Sequence, residues 1–178
     1  MELKINYEDM LWTALIPELT LLFTAFFLLL IGLNKNFNNN DYLSKATMVG
    51  ITIALFFSFT LWGSAPTAES GASPDIFSKS LIHDRFGQGF NILFLLMAMF
   101  AVLGSVRYPQ PSHENKSEYF SLVLMTVVGM MFLAKSGNLI TAFVSLEIFS
   151  ISLYILCGFS AKHGTGKESP SNSPQLSW

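Results

Sequence analysis

The 178-residue chain is 51% hydrophobic and only 12% charged, holds 17 phenylalanines, and has a net charge of −2 and a mean hydropathy of +0.47. That balance lies outside the range of soluble domains and excludes a soluble enzyme. The ten Lys and Arg residues are scattered singly among loops, which excludes nucleic acid as a partner.

The apolar residues come in unbroken blocks long enough to cross a bilayer, not as the stripes of a soluble fold. The first block, 16–33, is too long and too late for the apolar core of a signal peptide. Pro17 suits the first turn of a helix, and Glu18 sits where the helix dipole favours an anion, which places it at the membrane surface. Residues 10–15 extend this helix or lie along the interface, with Trp12 as an aromatic anchor. An asparagine-rich turn, 34–41, leads to a second helix at 43–62, which Trp62 closes at interface depth.

The stretch 63–85 is rich in Gly, Ser and Pro and reads as a surface excursion. At its end, His83, Asp84 and Arg85 form a cluster with no phosphate loop, metal spacing or nucleophile motif beside it, so it reads as the solvated start of the third helix, 86–106. Arg107, Tyr108, Pro109 and Pro111 end that helix. The fourth, 118–134, begins at Glu118 and is followed by Lys135, both charges matching the dipole. The fifth covers 139–159. Residues 160–178 show no apolar period and are expected to form a disordered tail.

Cys157, the single cysteine, lies inside an apolar block and reads as packing. His113 and His163 read as surface residues, and the methionines of helices three and four as packing or lipid-facing groups. The chain is thus predicted to be an all-α membrane protein of about five transmembrane helices over 1–159. Lys35, Lys45, Arg107, Lys116, Lys162 and Lys167 on one side outnumber Lys4, Lys79, Arg85 and Lys135 on the other. The expected topology is therefore N-terminus outside and C-terminus inside.

Glu147 stands near the middle of the fifth helix, where a carboxylate without a partner costs several kcal/mol or more. Thr141, Ser145, Ser150, Ser152 and Tyr154 scatter hydroxyls along the same helix, Ser150 one turn from Glu147. Such hydroxyls can orient a carboxyl or a short water chain, and they can equally bond their own helix backbone. With Glu18 and the basic residues assigned to surfaces, Glu147 is expected to lack a cation within the five helices and to need one from another chain.

From Glu118 to Phe159 the sequence resembles the antiporter-like membrane subunit N of NADH-quinone oxidoreductase, called subunit 2 in the mitochondrial enzyme. The resemblance is carried by Glu118-Tyr119-Phe120, by Gly129, by the Ala134-Lys135-Ser136-Gly137-Asn138-Leu139 turn, and by Leu146-Glu147 followed by Ser150, Leu153 and Tyr154. Pro17-Glu18, and Asp84 and Phe86 with Gly87, agree more loosely, so the likeness covers residues 10–160. It implies the N-terminal portion of an antiporter-like helical bundle in the cell inner (cytoplasmic) membrane or an organelle equivalent. It further implies that Glu147 belongs to a proton-translocating path and pairs with a lysine on a later helix, Ser150, Tyr154 and Lys135 being the candidate supporting groups.

On that resemblance the chain would serve as a subunit of a respiratory translocase and bind no cofactor or metal itself. NADH, flavin, iron–sulfur clusters and quinone would belong to other subunits. Family members continue through many more helices in inverted repeats. The chain is accordingly expected to be a truncation, a frameshift product or half of a split subunit, completed by membrane partners that supply the buried lysine. The alternatives are a subunit of a multisubunit cation/proton antiporter and a membrane scaffold protein without transport, in which Glu147 is a neutral packing residue.

Overall fold

A computed structural model describes residues 13–33, 40–65, 75–76, 80–107 and 116–164. It contains five long helices: α1 (Ile16–Leu33), α2 (Asn40–Ser64), α3 (Arg85–Arg107), α4 (Lys116–Ala134) and α5 (Leu139–Gly164). All five are long and apolar enough to cross a membrane. Two short strands, β1 (Asp75–Ile76) and β2 (Leu81–Ile82), pair antiparallel between α2 and α3 with Asp75 opposite Ile82. The all-α reading therefore holds, with this one small hairpin added.

Each helix sits where the apolar blocks place it, the ends differing by a turn or less except at α5. That helix runs on to Gly164, past Phe159, so the polar stretch after it starts as helix. The rest of the expected tail, together with Trp12, His113 and the asparagine-rich turn before residue 40, lies outside the described residues.

Helix α4 is the hub, packing against each of the other four, while α5 packs mainly on α4 alone. In lipid no hydrophobic force drives helices together, so close van der Waals packing and interhelical hydrogen bonds must do it. The core is a continuous cluster in which Leu21, Leu28, Leu95, Leu124 and Met131 are fully enclosed. Ser121 on α4 donates to the Ala25 carbonyl of α1 at 3.0 Å. Most other hydroxyls turn back on their own helix, as Thr24, Thr47, Thr126, Ser145 and Ser152 do, and so hide their polarity from lipid.

Gly129, in the second half of α4, lies against the α5 backbone. A β-carbon there would stand 2.8 Å from the Phe149 backbone nitrogen. Because that neighbour is backbone, it has little room to give. Gly129→Val should therefore push α4 and α5 apart and cost about 1–3 kcal/mol, the usual scale of overpacking. Thermal unfolding of the purified chain in detergent would show it as a lowered midpoint, and an unchanged midpoint would contradict the packing described.

Candidate functional site: two carboxylates

The helices alternate in direction, so α1 and α3 begin at the same end of the bundle at which α2 and α4 finish. A polar cluster assembles there, and its centre is Glu18. The Lys135 ammonium lies 2.6 Å from Glu18 Oε1, with side-chain exposures of 2% and 0% respectively. Asn91 Nδ2 donates to the same oxygen at 2.7 Å, and Lys135 Nζ also donates to the Ala14 carbonyl at 2.9 Å. Two sequence expectations are overturned by this pairing. Glu18 stands in the first turn of its helix, as expected, but it is enclosed by protein instead of lying at a surface. Lys135, likewise assigned to a surface and offered as support for Glu147, is a buried cation already committed to Glu18.

The segment read as a surface excursion is what closes the cluster. Ile82 N donates to the Lys135 carbonyl at 2.8 Å, Gly137 N to the Ser80 carbonyl at 2.9 Å, and Leu81 bridges to Ser136. These β-type bonds lay residues 80–83 along the α4–α5 turn and carry His83 into the interior, where it is only 3% exposed. His83 thus corrects the solvated-start reading. Burial holds its pKa below the ordinary 6.5, and the nearby Lys135 charge lowers it further, against opposing pulls from Glu18 and Asp84. The other two members of that triplet behave as a helix start: Asp84 Oδ1 accepts from Gly87 N at 2.8 Å, and the exposed Arg85 donates to the Ala65 carbonyl at 3.1 Å. One turn along α3, Gln88 Nε2 reaches the Ser58 carbonyl and hydroxyl of α2 at 2.9 and 2.8 Å.

Glu147 is placed quite differently. It lies on the exposed side of α5 and has no hydrogen-bond or ion-pair partner among the described residues. Ile140, Phe143, Ile151 and Tyr154 share that side and are about half or more exposed, Tyr154 at 75%. Ser150 is half-buried beside them, whereas Ser145 and Ser152 are buried on the opposite side and bond backbone. Cys157 is exposed on this outer surface too, which corrects its reading as a packing residue. Only 11% of the α5 span is buried, against 56% of α4. Lys135 pairs with Glu18, whereas Glu147 stands eight residues into α5 from Leu139, roughly 12 Å along the axis.

The fold defines a polytopic helical membrane protein, with one carboxylate neutralised inside it and another presented outward at mid-span. Over most of its own length the chain resembles NADH-quinone oxidoreductase subunit N. It is 36% identical over 146 residues to that subunit from Trichlorobacter lovleyi, covering 82% of this chain and 28% of the relative. To the subunit from Anoxybacillus flavithermus it is 34% identical over 169 residues, covering 94% and 32%. It is also 29% identical over 154 residues to the F(420)H(2) dehydrogenase subunit N of Methanosarcina mazei, covering 86% and 31%. The chain thus spans about three-tenths of the length of the curated relatives it matches. No family model matches the chain.

The Glu18–Lys135 pair makes two measurable demands. Glu18→Gln leaves a buried ammonium unpaired and should destabilise the chain by about 3–5 kcal/mol, most of it recovered in the charge-free Glu18→Gln/Lys135→Gln variant; equal melting points for the two variants would deny the pair. His83 adds a pH term. Its folded-state pKa is depressed, so its contribution is fully present above 6.5 and is lost as the pH falls through the lower folded value. Unfolding measured across mildly acidic pH should show this slope, and His83→Gln should flatten it.

Proposed function

We propose that this chain forms the leading part of an antiporter-like proton-translocating subunit in a complex of the NADH-quinone oxidoreductase type, coupling electron transfer to quinone with proton movement. The observation that carries the proposal is Glu147, an acidic side chain unpartnered at mid-span on an otherwise apolar helix surface. Facing acyl chains, such a group costs several kcal/mol with nothing in return. Against a neighbouring helix that brings a buried lysine, the same group gains a partner and becomes a place where a proton can be bound and released. Ser150 and Tyr154, on the same side of α5, are suited to orient that carboxyl or the water beside it.

The similarity to subunit N supports this reading, as does the bare α5 surface, which has the length and chemistry of an interhelical contact. In this proposal the redox groups belong to other subunits, the complex lies in the inner membrane, and the N-terminus faces outward.

Glu147→Gln in the assembled complex tests it. Proton translocation should slow on the order of 100-fold, the scale of a lost proton-transfer group, while assembly and membrane insertion are unchanged. Unaltered translocation would instead make Glu147 a neutral packing residue of a scaffold.

A further inference from the structure

Four buried side-chain atoms have no hydrogen-bond partner among the described residues: Glu18 Oε2, His83 Nδ1, Gln88 Oε1 and Asn91 Oδ1. The three oxygens are acceptors, and the imidazole nitrogen accepts in the tautomer that carries its proton on Nε2. Their residues are each at least 97% enclosed and belong to the single cluster at one end of the bundle. An orphaned buried acceptor costs about 1–3 kcal/mol, and several around one ion pair point to a common source of donors. Water is the species that supplies donors in an enclosed polar space, provided it finds two or more partners there. Asn91 spends its amide on Glu18 Oε1 and Gln88 spends its own on Ser58, so the remaining oxygen of each is left for a donor from outside the described residues.

We propose that Glu18, Lys135, Asn91 and His83 enclose ordered water and form a proton-exchange site, separate from Glu147, at the end of the bundle where α1 and α3 begin. The charged and titratable groups that face it are Glu18 from α1, His83 and Asp84 from the segment entering α3, and Lys135 after α4. The neighbouring α2 contributes the uncharged Ser58. A proton from the aqueous side adds to the lone pair of His83 Nδ1 and passes through a bridging water to Glu18 Oε2. The new O–H bond forms as the imidazolium N–H bond breaks, and His83 returns to neutral. The attraction between Lys135 and Glu18 falls once that carboxyl is neutral, and Lys135 retains the Ala14 carbonyl as an acceptor. One proton is bound in each loading and one is released in each discharge.

The test is time-resolved infrared spectroscopy of the full chain in lipid nanodiscs after an acid jump, carried out in a Glu147→Gln background. That background removes the carboxyl on which the proposed function rests, and the measurement needs no pumping, so its outcome is independent of the proposed function. A neutral carboxyl C=O band should grow and be absent when Glu18→Gln/Lys135→Gln is added, a combination that leaves no buried charge unpaired. His83→Gln should slow the growth of the band on the order of 100-fold. A map of the assembled complex should show ordered water within hydrogen-bond distance of Glu18 Oε2 and Asn91 Oδ1. The proposal is overturned if no band grows, if the band survives loss of Glu18, if its rate ignores His83, or if a side chain from another segment fills the space instead of water.

Discussion

The contact between Glu18 and Lys135 is the constraint on which the closed end of this bundle depends. Removing both charges from water is costly, and their mutual attraction offsets that cost only when geometry and extra hydrogen bonds are favourable. Here Asn91 and the Ala14 carbonyl supply those bonds, from α3 and from the residues entering α1. The pair therefore fixes how three helices meet. In a bilayer, where apolar faces gain little from touching one another, a directional polar contact specifies register in a way that leucine packing cannot.

The same pair explains why a loop of polar composition folds back on the helices. The carbonyl of Lys135 accepts from Ile82, and Asn138, three residues later, caps α5 by accepting from Thr141 N at 2.8 Å. The α4–α5 turn is thus held on one side by the hairpin and on the other by its own cap. Through the Lys135 side chain it is held from below by α1.

The sequence reading succeeded where the governing physics is local. Spans follow from runs of apolar residues. The mid-depth position of Glu147 follows from counting along α5. It failed at Glu18 and Lys135 because each charge already had a sufficient local explanation. An acid in a first turn and a base just past a last turn both satisfy the helix dipole, and 117 positions of sequence separate the two (135 − 18). His83 was lost for a similar reason, since its burial arises from β-type bonds to the α4–α5 turn that no pattern within 63–85 announces.

The two carboxylates divide along the axis of the molecule. Glu18 is surrounded by its own chain, with a cation and an amide donor within 2.7 Å, so its charge is answered where it stands. Glu147 is presented on a helix that α4 supports from behind and that nothing among the described residues covers in front. A carboxyl answered from within can store charge and hold helices in place without a partner chain. A carboxyl left to be answered from outside is the acidic group of the described outer face of α5, where it stands among Ile140, Phe143, Ile151 and Tyr154, and a cation brought to its depth is what would answer it.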